Sequence, residues 1–166
     1  MRTTFFKLWV HGIVHVAENS VLIDPHLEGL LYLEMEKRLI EQGCEVAAIR
    51  GQADHVHFLF NQNPLLSLHE TIRFVQGISQ RWYHVNDRLS GAYKFKWEDG
   101  YMAYSVSESN FQKTQQFIDN QKDIHLKINY YEEQQQLNYF HKVDIQDDSP
   151  DSELKLFKNS FDLKHN

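Results

Sequence analysis

Between residues 5 and 106 the apolar side chains change their spacing repeatedly, and the order of those changes leaves few folds open to the chain. Residues 5–17 alternate, with Trp9, His11, Ile13 and His15 facing one way and Leu8, Val10, Val14 and Val16 the other. This predicts a first strand with one face rich in histidine. Asp24-Pro25 supplies an N-cap and a proline at the first helical position, and Leu27, Leu31, Met35 and Leu39 recur every fourth residue up to Gly43. An amphipathic helix packed on a sheet follows. Residues 44–50 and 55–61 read as two further strands, joined by Gly51-Gln52-Ala53-Asp54, a hairpin by length and composition. Ser67-Leu68-His69-Glu70 is a capping box, and Leu68, Ile72, Val75, Ile78 and Trp82 carry a second helix. Tyr101 to Val106 predicts a fourth strand, after which Ser107 or Ser109 caps a third helix running to about Lys127.

The order strand, helix, strand, strand, helix, strand is that of a ferredoxin-like α+β domain, an antiparallel sheet with helices on one face. The third helix is an addition to it. With 166 residues, 42% hydrophobic and 24% charged, one globular domain is expected over residues 1–143, followed by an acidic tail over 144–166 that is flexible or packed only by Leu154, Phe157 and Phe161. The single cysteine, Cys44, excludes an intramolecular disulfide and any cysteine-built zinc site. The N-terminal residues lack the apolar core of a signal peptide and no apolar run is long enough to span a bilayer, so the chain is expected to be cytoplasmic. A net charge of −6 is unusual for a nucleic-acid binder. Residues 129–166 hold four lysines against eight carboxylates, which leaves the first 128 residues at only −2.

Chemistry concentrates in Asp54-His55-Val56-His57-Phe58-Leu59-Phe60. Successive strand residues point to opposite faces, so His55 and His57 project together, roughly 6–7 Å apart, while Val56, Phe58 and Phe60 point away. Two imidazoles at that spacing suit one divalent metal, with Asp54 as an orienting partner behind them. A core pair of hydrogen-bonded histidines is the competing reading.

Four stretches together carry a resemblance. They are Asp54 to Phe60, the helix with Val75-Gln76-Gly77-Ile78-Ser79-Gln80-Arg81-Trp82, the run Trp97 to Ser109, and the helix with Phe117-Ile118-Asp119-Asn120-Gln121-Lys122-Asp123-Ile124-His125. In that order and spacing, from about residue 5 to residue 135, the chain resembles the single-tyrosine HUH transposases of small bacterial insertion sequences, including the repeat-associated tyrosine transposases. The resemblance implies a homodimer that cuts and rejoins single-stranded DNA at hairpin-bearing ends. It implies that His55, His57 and Gln121 hold Mg²⁺ or Mn²⁺, which polarises the scissile phosphate. It also implies a tyrosine one helical turn before Gln121 that forms a 5′-phosphotyrosyl link. The family's sheets pair across a two-fold axis, and residues 5–17 are expected to be the edge strand that extends this pairing.

At the nucleophile position stands Phe117. Its ring has no hydroxyl, so the chain as written is expected to be cleavage-dead. A Tyr→Phe change made to trap a complex and a natural loss of cleavage both account for it. A domesticated DNA-binding protein without nuclease activity, and a metal or interaction domain that does not act on nucleic acid, are the alternatives. Tyr101, Tyr104, Tyr130 and Tyr131 are read as packing residues, with substitution for the missing nucleophile as the lesser reading.

Other residues give weaker signals. His11 and His15 read as partly buried and hydrogen-bonded, with reach to DNA or metal as the alternative. Arg73, Arg81, Arg88, Lys94 and Lys96 could contact phosphates, and Trp82, Tyr83 and Trp97 could stack on unpaired bases. A solvated helix face over core aromatics explains the same residues as well. Glu98-Asp99 reads as a solvated turn.

Overall fold

The chain's alternating segments pair as one antiparallel sheet in the computed structural model, which describes residues 5–87 and 94–141. The strands are β1 (Trp9–His15), β2 (Glu45–Gly51), β3 (His55–Asn61) and β4 (Met102–Val106), in the spatial order β2-β3-β1-β4. Helices α1 (Pro25–Glu41) and α2 (Leu68–Asn86) cross over one face, as the sequence pattern requires of a ferredoxin-like α+β domain. Val14, Leu31, Met35, Val56, Phe58, Phe60, Ile72 and Val75 are buried between them. Each large apolar side chain removed from water there contributes about 1.5–3 kcal/mol. The helix starts follow the sequence: Asp24 Oδ1 accepts from His26 N at 2.7 Å, and Ser67 and Glu70 close a reciprocal capping box. Gly43, just past the end of α1, has φ +74, a conformation that L side chains rarely adopt.

The other face carries helix α3 (Glu108–Asp119), which covers a smaller core of Trp9, Ala48, Leu59, Val106 and Ile118 with Phe111 and Phe117 against it. The added helix therefore lies across the sheet from α1 and α2. It is also shorter than the sequence predicts. It ends at Asn120, and a separate turn, α4 (Gln121–Ile124), restarts when the Asn120 carbonyl accepts from Asp123 N and Ile124 N, each at 3.0 Å. The Asn120 backbone makes this break, leaving helical geometry at φ −95 and ψ 16, and its side chain makes no cap hydrogen bond.

A second correction concerns β1. It pairs with β3 on one side and β4 on the other, so it is a central strand, and the sheet edges are β2 and β4. The reason is visible in its burial. Val14 is covered by the α1/α2 layer and Trp9 by α3, so both faces of β1 are enclosed, whereas the alternation of its residues says nothing about its lateral neighbours.

The described residues divide into one compact unit through Ile128 and a second that begins at Asn129. The second holds α5 (Tyr130–His141), started by reciprocal bonds in which Asn129 N donates to Glu132 Oε2 at 2.9 Å and Glu132 N to Asn129 Oδ1 at 3.0 Å. The expected tail over 144–166 lies outside the described residues, as does the boundary at 143. Among the described residues no helix is long and apolar enough to cross a membrane.

Candidate functional site

β3 places His55 and His57 on the sheet face that α3 covers, and both rings are fully buried. Their centroids are 4.9 Å apart, and a ring nitrogen of one lies within 4.8 Å of a ring nitrogen of the other, close enough to share one ion. Each uses its Nδ1 elsewhere. His55 Nδ1 lies 2.7 Å from Asp54 Oδ1, a half-exposed carboxylate that can only accept, so the imidazole donates there and keeps a lone pair on Nε2. That hydrogen bond, above all, holds the Asp54 carboxyl below its ordinary pKa. His57 Nδ1 lies 2.9 Å from His11 Nε2 on β1.

Gln121 approaches the histidines from the first residue of α4. It is fully buried, and its Oε1 lies 3.4 Å from His55 Nε2. With the His55 proton on Nδ1, two acceptor atoms face each other there, an arrangement suited to a cation between or beside them. The break at Asn120 does not carry Gln121 away, because Gln52 Nε2 in the β2–β3 turn donates to the Gln121 carbonyl at 3.0 Å. Phe117, half-buried on α3, sets its ring edge-on to His57 at 5.8 Å and to His11 at 6.0 Å. His125, one turn after Gln121, stands 4.9 Å from the His55 ring, and His15 5.9 Å from it. The structure thus brings together Asp54, His55, His57, Phe117 and Gln121, and adds His11, which sequence reasoning left as a core histidine.

The proposed DNA contacts lie elsewhere. Arg73, Arg81 and Trp82 belong to α2, on the far side of the sheet, where Trp82 packs against the larger core and Arg73 Nη1 donates to the Asp99 carbonyl at 3.0 Å. Lys94 and Lys96 are exposed near the C-terminal end of that helix, where Lys96 N donates to Ser20 Oγ at 2.7 Å. None of the five reaches the histidine cluster. Arg88 lies outside the described residues. Gln76 is buried and donates to the carbonyls of Glu98 and Gly100, each at 3.2 Å, so it fixes the turn that holds Glu98-Asp99. Sequence reasoning passed over Arg50, which stands opposite His57 in the β2–β3 register and is exposed at the sheet edge. Among the tyrosines, Tyr104 shares the histidine face, 6.0 Å from the His11 ring, whereas Tyr101 packs against the larger core on the opposite face.

Comparison with known proteins bears on the fold and the family. A proposed transposase from Deinococcus radiodurans, 23% identical, covers 73% of this chain and 95% of its own with a TM-score of 0.54. A REP-associated tyrosine transposase bound to a REP hairpin, 10% identical, covers 75% of this chain and 73% of its own with a TM-score of 0.55. At these identities both likenesses speak for the fold. No curated protein matches. The family model described as "Transposase IS200 like" matches residues 4–121, a span that begins ahead of β1 and ends at Gln121 itself. A match over that much of the chain, on a sheet that carries the paired histidines where the sequence pattern predicts them, makes this protein a member of the IS200-like transposase family.

Proposed function

We propose that this chain binds hairpin-bearing single-stranded DNA together with Mg²⁺ or Mn²⁺, and that it is a transposase-family protein unable to cleave because position 117 is phenylalanine. The observation that carries the reading is the convergence of His55, His57 and Gln121 on one buried spot beside the Phe117 ring. Two imidazole nitrogens and an amide oxygen suit either ion only as a partial shell, so phosphate oxygens and water are needed to complete it. When bound, the ion would neutralise charge on the scissile phosphate.

The protein's own residues orient and exclude. Asp54 and His11 hold the two imidazoles, and α3 presents an aromatic ring to the reacting position and shields it. With a tyrosine at 117, the phenolic oxygen would form a bond to phosphorus, the phosphorus–oxygen bond to the 3′ side would break, and the departing 3′ oxygen would take up a proton. Phenylalanine stops the sequence before its first bond. Binding does not need that oxygen, so DNA recognition is retained. The same reading makes the protein a cytoplasmic homodimer.

A fluorescent single-stranded oligonucleotide carrying the hairpin that flanks the protein's own coding sequence tests this. With Mn²⁺, binding is expected from the unmodified chain without any covalent adduct on a denaturing gel, and Phe117→Tyr is expected to form the adduct. An adduct from the unmodified chain would place the nucleophile on another tyrosine. Absence of hairpin binding in both forms would remove DNA from the reading. Binding without cleavage in Phe117→Tyr would favour a DNA-binding protein that has lost the reaction altogether.

A further inference from the structure

We propose that His11 is a positioning residue for His57: it fixes the tautomer in which His57 presents Nε2, and not Nδ1, to a divalent cation. The inference rests on the metal reading above and deepens it, by stating which proton position the contact from β1 selects at His57. His11 and His57 are 1% and 0% exposed, and their facing nitrogens, Nε2 and Nδ1, are 2.9 Å apart. The strand register pairs His11 with Leu59 and Ile13 with His57, so the two histidines are diagonal neighbours on one face of β1 and β3.

One hydrogen bond between two neutral imidazoles holds a single proton between its nitrogens, so one ring donates and the other accepts. If His57 donates from Nδ1, its Nε2 keeps a lone pair and His11 carries its own proton on Nδ1. In the reverse arrangement His57 bears its proton on Nε2 and cannot ligate there. Only the first arrangement is competent. For His55 the matter is fixed by Asp54, whose carboxylate accepts and never donates. At His57 the atom facing Nδ1 is His11 Nε2, which takes the acceptor's part that Asp54 takes at His55. Phe117 packs edge-on to both rings, with interplanar angles of 69° and 75°, and so holds the planes in which the bond is made.

The test uses the ¹⁵N-labelled full chain, its His57 signals assigned with His57→Ala. Long-range proton–nitrogen spectra at neutral pH report which ring nitrogen bears hydrogen, and Mn²⁺ affinity is measured by calorimetry on the same samples. In the unmodified chain His57 is expected to carry its hydrogen on Nδ1. His11→Ala is expected to move it toward Nε2 and to weaken Mn²⁺ binding about 10–100-fold, the usual effect of removing a ligand's orienting partner. His11→Gln, whose amide oxygen can accept from Nδ1, is expected to restore both. Hydrogen on Nε2 of His57 in the unmodified chain overturns the proposal without reference to any metal. So does a His11→Ala variant that unfolds at the same temperature and keeps the original tautomer and affinity. If His11→Ala fails to fold, the unmodified chain and His11→Gln still decide. If the unmodified chain binds Mn²⁺ no better than His57→Ala, the metal reading falls, and the spectra still judge whether His11 orients His57.

Discussion

One carbon atom at position 12 tests how tightly β1 sits on the larger core. A Cβ built on Gly12 would lie 2.6 Å from both Cε2 and Cζ of Phe58, its cross-strand partner. Phe58 is fully buried and stacked on Phe60 with centroids 5.4 Å apart, so its ring has nowhere to retreat. Gly12→Ala is therefore expected to destabilise the protein by about 1–3 kcal/mol, the usual cost of overpacking, read as a lower urea midpoint with an unchanged slope. An unchanged midpoint would mean that the core gives more readily than this packing implies. The residue scale is also where the sequence was most and least legible. His55 and His57 share a face because the strand period is two, which any reader of the sequence can apply. The bond between His11 and His57 depends on a diagonal between two strands distant in the chain, and no local pattern encodes that register.

The elements begin and end on signals of unequal strength. At α2 the capping box is complete: Ser67 Oγ accepts from Glu70 N at 3.1 Å, while Glu70 Oε2 accepts from Ser67 N at 3.0 Å and from Ser67 Oγ at 2.7 Å. Ser67→Ala is expected to cost about 1 kcal/mol, measured by denaturant unfolding at neutral pH. The bonds from Ser67 hold the Glu70 carboxyl below its ordinary value of 4.5. A group whose pKa is lowered on folding contributes its stability above the unfolded value and loses it as pH falls through the folded one. The stability lead of the unmodified chain over Glu70→Gln should accordingly be present at pH 7 and vanish in acid; a lead independent of pH would show that the charge is irrelevant to the cap. At α3 the serine signal misleads, because Ser107 sits at the N-cap without a side-chain cap bond and its Oγ pairs with Ser109 Oγ at 3.0 Å instead. The break at Asn120 was equally hidden. Helical periodicity continues through Ile118, Gln121 and Ile124, and the anchor on the Gln121 carbonyl comes from Gln52, far away in sequence.

At the scale of the whole molecule, the sheet order decides which strand can meet a second copy. The sequence names the four strands, but their lateral order depends on how the helical connections return, and so β1 could be misread as an edge. The true edges, β2 and β4, differ in how they treat their unpaired backbone. β2 is irregular between Val46 and Ala48, its Ala47 carbonyl accepts from Gln115 Nε2 at 3.1 Å, and its Ile49 carbonyl accepts from Arg50 Nη1 at 2.6 Å. Bulges and side chains spent on edge carbonyls are the usual defences against strand pairing. β4, Met102-Ala103-Tyr104-Ser105-Val106, has no charge and no proline. Among the described residues it is the less defended edge, and an isologous β4–β4 contact about a two-fold axis would extend both sheets. Light scattering at micromolar protein is expected to give the mass of a dimer for the unmodified chain. Ser105→Lys, which puts a charge on the exposed side of β4, is expected to halve it, while Glu45→Arg on β2 leaves it unchanged. A monomeric unmodified chain would refute dimerisation, and dissociation by Glu45→Arg alone would move the interface to β2 despite its defended backbone.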